Sequence, residues 1–182
     1  MAVIRISGYH GSGKTTLSER LAKALGYEYH YTGGVFRKLA KECGLSIEDF
    51  YARVISDPEL ERKIDGEQEK LMMERDNLVV EALIAPFLKC SFPAINVKIF
   101  VEPEEGVRRQ LMRPENAGKS FGEMAEKSRA RLENEKIHYL SLYGIRDHLA
   151  DDIFAVIVDT TKLNPDEAFK AVMEKLKPLL KN

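Results

Sequence analysis

The stretch Gly8-Tyr9-His10-Gly11-Ser12-Gly13-Lys14-Thr15-Thr16 constrains the fold more than any other part of the chain. It satisfies the phosphate-binding pattern G-x-x-x-x-G-K-[ST] at Gly8, Gly13, Lys14 and Thr15. That pattern carries chemistry only between a buried strand and a helix, and both flanks comply. Ala2-Val3-Ile4-Arg5-Ile6 is mostly apolar and rich in β-branched residues, as a buried strand reads. Leu17, Leu21 and Leu25 fall on one face of a helix that follows. Gly11 and Gly13 lack a Cβ, so backbone N–H groups can curl toward an anion. The helix start adds unpaired N–H groups and the positive end of its dipole. Lys14 suits β- and γ-phosphates, and the Thr15 hydroxyl suits Mg²⁺. The expected ATP contacts are therefore Gly8, Gly11, Ser12, Gly13, Lys14, Thr15 and Thr16. The bland alternative is a glycine turn before a helix with a chance lysine. His10 is unspecified by the pattern and has two roles open to it, a phosphate contact or loop packing.

The 182 residues suffice for one domain with a sizeable core. With 44% hydrophobic and 31% charged residues, the composition is that of a soluble globular protein. A net charge of −1 gives no bulk drive toward nucleic acid or an anionic membrane. Cys43 and Cys90 form no metal or redox pattern and are expected to stay reduced in the cytoplasm. The first residues read as a core strand rather than a signal peptide. No apolar run approaches the roughly 18 residues of a membrane span. A monomer is expected, acting on small molecules.

Strands and helices alternate along the chain. Tyr27 to Tyr31 reads as a short second strand, broken by Thr32-Gly33-Gly34. Helices follow from Val35 to Cys43, from Ser46, and from Asp57-Pro58 to Arg75. Leu78-Val79-Val80 is a buried strand ending near Glu81, and Asn96 to Val101 is another. Pro103 opens a helix carrying Arg108, Arg109 and Arg113. Ser120 with Glu123 reads as a capping box for a long polar helix to about Tyr143. Ile153 to Val158 is the last strand, and Asn164 to Glu167 caps a final helix. The alternation predicts an α/β fold, a parallel sheet with helices on both faces.

From Val3 to about Lys177 the chain resembles the P-loop nucleoside monophosphate kinases, above all the compact archaeal-type cytidylate kinases. Thr32-Gly33-Gly34-Val35-Phe36-Arg37 looks like their Gly-x-x-Phe-Arg acceptor segment. Asp57-Pro58-Glu59-Leu60 with Ile64-Asp65 and Gln68 is similar to their acceptor helix. Val79-Val80-Glu81, Tyr143-Gly144-Ile145 and Asp159-Thr160-Thr161 match further pieces. The resemblance implies a single P-loop NTPase domain over 1–182 with a five-stranded parallel sheet. It also implies an acceptor-binding segment at about 32–75 and a lid at about 108–140. These would close over both nucleotides, with Gly33-Gly34 as a hinge. The chain departs from the pattern at Ala82-Leu83, where Gly-Arg is usual, and at Glu67, His138 and Arg146.

The implied reaction is transfer of the ATP γ-phosphate to a small acceptor, with CMP or dCMP leading, and with Mg²⁺ as cofactor. Lys14, Arg109, Arg113 and Arg131 are the expected catalytic cations. Arg109 and Arg113 share a helical face and suit either phosphates or an adenine face. Arg131 fits the family's lid arginine. Arg37, whose planar fork matches a phosphate, and Gly33 and Asp65 are expected at the acceptor. Thr15 and Glu81 are expected at the metal, with Asp76 as the alternative acid. Adenine is expected near Asp159 to Lys162. His138, His148 and Asp151-Asp152 read as surface features. An ATP-binding module or ATPase that acts through a partner, or a kinase for another small molecule, remains open.

Overall fold

The computed structural model describes residues 2–180. Strand β1, Val3–Gly8, runs into the glycine loop, and α1, Lys14–Leu25, leaves it. Strand β2 is Glu28–Tyr31, followed by α2 (Thr32–Glu42), α3 (Ile47–Ser56) and α4 (Pro58–Glu74). Then come β3 (Leu78–Glu81), β4 (Ala94–Phe100), α5 (Pro103–Leu111), α6 (Phe121–Tyr143), β5 (Val156–Asp159) and α7 (Pro165–Leu176). The sheet has five strands in the order β2-β3-β1-β4-β5. All its pairings are parallel. The expected α/β fold is thus observed. Strand β1 is central, so the loop it feeds emerges mid-sheet, where the strand order reverses.

Burial on both faces explains the near-continuous apolar strands. Ile4, Ile6, Val97 and Ile99 face one core, with Leu17 and Leu21 of α1 and Val172 and Leu176 of α7. Val3, Leu78 and Val80 face the other, with Met72 of α4 and Ala85. A third cluster stands apart from both: Ala40, Phe50, Val54 and Ile64 join α2, α3 and α4.

Helix starts follow local chemistry. The Asp57 side chain accepts from the Leu60 N–H, with Pro58 at the first helical position. Ser120 and Glu123 form a reciprocal capping box, as do Asn164 and Glu167. Several boundaries differ from expectation, among them β5, which starts at Val156 rather than Ile153, and α5, which ends at Leu111, before Arg113. Thr32-Gly33-Gly34 does not break the chain between strand and helix but forms the first turn of α2. The reason is a close approach: a Cβ on Gly33 would lie 2.6 Å from the Tyr31 hydroxyl oxygen. Gly33 makes room for an aromatic ring, and neither Gly33 nor Gly34 has a positive φ. Among the described residues no helix is long and apolar enough to cross a membrane.

Leu21 has no solvent exposure and sits between α1 and the sheet. Leu21→Ala is expected to cost about 2–5 kcal/mol by lost transfer energy and a residual cavity. Urea unfolding should show this as a lower midpoint with an unchanged slope.

Candidate active site

The glycine loop is shaped by two backbone contacts. Gly8 has φ 142°, and a Cβ there would lie 2.1 Å from the Ile99 carbonyl oxygen on β4. Gly11 has φ 80°, and its Cβ would lie 2.3 Å from the Gly106 carbonyl oxygen on α5. No side chain fits at either place. The loop is therefore clamped between the sheet and α5 before any ligand arrives. Lys14 donates from Nζ to the carbonyls of Gly8 at 2.8 Å and Tyr9 at 2.6 Å. Burial pushes this ammonium down to about 8, while Glu81 and Glu135 hold it up. The Ser12 hydroxyl is buried in the same loop and has no hydrogen-bond partner among the described residues. Thr16 is exposed on the first turn of α1.

Glu81 ends β3, directly opposite Ile6 of β1. Its side chain meets the loop: Thr15 Oγ1 donates to Glu81 Oε1 at 2.9 Å. Tyr29 from β2 donates its hydroxyl to Oε2 at 2.6 Å. Burial, with the Glu81 carboxylate beside it, pushes the Tyr29 phenol far up. The two expected metal ligands are thus adjacent oxygens, which fits a hard cation taking few protein ligands. Tyr29 escaped sequence reasoning, because one tyrosine in an alternating Tyr27-Tyr29-Tyr31 run looks like the others. After Glu81 the chain goes into the core, with Ala82 and Ile84 buried.

The expected cations part company. Arg109 donates to the carbonyls of Thr160 at 2.7 Å and Thr161 at 3.2 Å, and its Nε bonds Glu105 at 2.8 Å. It therefore sits at the loop after β5 rather than over Lys14. A cavity of about 360 Å³ lies along that loop, lined by Glu102, Asp159, Thr161, Lys162 and Leu163. Thr160 itself bonds back to the Ser12 carbonyl at 3.0 Å, joining this loop to the glycine loop. Arg113, exposed two residues beyond α5 and so not on one helical face with Arg109, and Arg131, on α6, both lie close enough for their charge to depress Lys14. Arg131 donates from Nε to Glu135 at 2.9 Å. Arg37 is exposed on α2, its guanidinium 4.9 Å over the Tyr31 ring.

Asp65 belongs to a buried polar row on α4. Its Oδ2 accepts from the Tyr143 hydroxyl at 2.6 Å and its Oδ1 from Gln68 at 3.0 Å. Gln68 in turn accepts from Thr32 at 2.7 Å, and Glu61 bonds His138. Two expectations are corrected here. His138 is no surface residue, since it caps the buried Glu61. His148 is fully buried, its ring 5.1 Å from that of Tyr139 in an edge contact. Asp151 and Asp152 are exposed as expected, and Asp151 takes the ammonium of the buried Lys98. A polar helix gives little sign of which polar residues turn inward, because helical periodicity is read from apolar ones.

Burial raises the Asp65 carboxyl to about 6, with Glu61 adding to the rise and Tyr143 and Gln68 opposing it. The folded state therefore binds this proton more tightly than the unfolded chain. The resulting stability is full below the unfolded value of 3.8 and is lost as pH rises through about 6. In urea unfolding at pH 4 and pH 7, Asp65→Asn should remove a difference on the order of 2 kcal/mol from the wild-type profile.

The comparisons with known proteins agree with this geometry. The AAA domain family matches residues 4–139. The cytidylate kinase of Ignicoccus hospitalis is 34% identical, over 99% of this chain and 99% of its own. That of Pyrococcus furiosus is 35% identical, over 97% of this chain and 91% of its own. Among solved structures, shikimate kinase from Bacteroides thetaiotaomicron has a TM-score of 0.64 at 20% identity, covering 100% of this chain and 99% of its own. A gluconokinase from Sinorhizobium meliloti has a TM-score of 0.55 at 17% identity, covering 100% and 94%. These two show the shared P-loop kinase fold. The near-full-length identity to archaeal enzymes goes further, and the chain belongs to the cytidylate kinase family.

Proposed function

We propose that the protein transfers the γ-phosphoryl group of ATP to CMP or dCMP, giving ADP and the corresponding diphosphate. The observation that carries this is the joined pair of Thr15 and Glu81 beside the loop lysine, in a chain related end to end to cytidylate kinases. Phosphoryl transfer needs positioning and charge neutralisation more than a strong base. The loop N–H groups and Lys14 hold the β- and γ-phosphates. Thr15 and Glu81 would hold Mg²⁺, which supplies charge neutralisation between those phosphates. Arg113 and Arg131 offset the charge of the group in flight. Arg109 and the loop from Asp159 to Lys162 take the adenine end. With Leu83 standing where an arginine is usual in the family, Arg37 carries the acceptor phosphate. The row Glu61, Asp65 and Gln68 lines the acceptor side.

The segments 32–75 and 108–140 are read as the parts that close over the two nucleotides and exclude water. The separate apolar cluster of α2, α3 and α4 supports the first of these, because that unit keeps its own core as it moves.

Incubation with ATP–Mg²⁺ and a panel of small acceptors, followed by mass spectrometry, should show CDP or dCDP formed together with ADP. ADP without a phosphorylated acceptor would instead mark an ATPase, and another product a different kinase. Lys14→Met should abolish binding of a non-hydrolysable ATP analogue in calorimetry. Arg37→Ala should raise KM for CMP by about 10- to 100-fold, the loss of a charged hydrogen bond, with KM for ATP little changed.

A further inference from the structure

One carboxylate ties the glycine loop to the long helix α6. Glu135 follows Arg131 by one helical turn, and its side chain is 4% exposed. Its Oε1 lies 2.9 Å from Arg131 Nε and 2.9 Å from His10 Nε2, and its Oε2 lies 3.1 Å from the same His10 nitrogen. An ionised carboxylate only accepts, so the His10 ring carries its proton on Nε2. Burial opposes the charge on Glu135, yet His10 and Arg131 hold it below the usual carboxylate range. His10 is one of the loop positions that the phosphate-binding pattern leaves open. Its carbonyl oxygen would be 2.9 Å from a Cβ placed on Gly106 of α5. Two helices therefore grip the same turn of the loop, α5 through backbone and α6 through a carboxylate.

This arrangement has an apparent cost. A negative charge near bound phosphates is repulsive, so Glu135 must contribute something its charge alone does not. Arg131 has a long, flexible stem, and a bond from Nε to a buried carboxylate sets the plane of its guanidinium, whose fork geometry matches a phosphate. Fixing the stem beforehand removes the ordering cost that binding would otherwise incur.

We propose that Glu135 is a positioning residue, which locks Arg131 of the lid helix to His10 of the glycine loop so that the arginine is preset over the terminal phosphate of ATP. This rests on the assignment of Arg131 to that phosphate. It also makes the Arg131–Glu135 part of α6 move with the loop, leaving the outer end of the lid, before Arg131, to open and close.

Charge and positioning predict opposite results. If Glu135 mattered only as a charge, its removal would tighten ADP and ATP alike. If it positions Arg131, removal weakens only the nucleotide with a third phosphate. Calorimetry with Mg²⁺ and either ADP or a non-hydrolysable ATP analogue should compare wild type, E135A, E135Q, R131A and E135A/R131A. For E135A the analogue is expected to bind about 10-fold more weakly or worse, with ADP changed by less than about twofold. The double variant should bind the analogue no more weakly than R131A alone. E135Q, which keeps the shape and one acceptor oxygen, should lose less, and its loss too should vanish in the R131A background. It carries the comparison should E135A fail to fold. Equal tightening of both nucleotides, or a Glu135 loss that adds in full to that of R131A, overturns the proposal. An R131A variant that binds the analogue like wild type overturns it as well. Absence of CDP formation with the binding pattern intact would sink the acceptor assignment and leave Glu135 in this role.

Discussion

Everything at the site depends on the register of β3 against β1. Pairing Ile6 with Glu81 sets a strand-end acid beside the first turn of α1, where Thr15 can donate to it. Side chains alternate across a sheet, so a shift of one residue would turn Glu81 to the opposite face and bring Val80 in its place. The register is enforced by burial rather than by the site. Leu78 and Val80 belong to one core and Val79 to the other, and a slip would exchange their faces. Strand β2 then adds Tyr29 from the far side, occupying the second oxygen of the acid. Apolar packing thus fixes a polar geometry that has little means of fixing itself.

Much of this was legible in the sequence, because the informative signals were local. A strand, a glycine loop and a leucine-faced helix occur in consecutive order, and the caps at Asp57, Ser120 and Asn164 announce helices within four residues. Glu81 could be singled out because it ends an apolar strand. The rest depends on partners far apart in the chain. Nothing near His10 marks Glu135, 125 residues away, as its partner. Glu61, Asp65 and Gln68 look like the solvated face of an ordinary helix until α6 is laid beside them. His148 was misread for the same reason, since a lone histidine among charged residues gives no periodic sign of burial.

The glycine loop and the segment proposed to bind the acceptor are built on different physics. The loop side is backbone against backbone, with Gly11 against Gly106 and Gly8 against Ile99, contacts that tolerate almost no displacement. The segment proposed to bind the acceptor meets α6 through hydrogen bonds that include Tyr143 to Asp65 and His138 to Glu61. Water can replace such contacts at small net cost, whereas opening an apolar seam exposes surface that water does not compensate. The stiffness of the loop side and the proposed movement of the acceptor segment accord with the kinds of atoms placed at each.

The small cluster of Ala40, Phe50, Val54 and Ile64 bears on how such a protein changes over generations. Its residues pack among three helices and belong to neither core of the sheet. Substitutions there act on the segment proposed to bind the acceptor, apart from the packing of the strands that hold the glycine loop. Effects at distant, independent sites combine almost additively, so drift in one unit leaves the other near its former stability. On the proposed assignment of that segment to the acceptor, a lineage can therefore try new acceptors without risking the glycine loop.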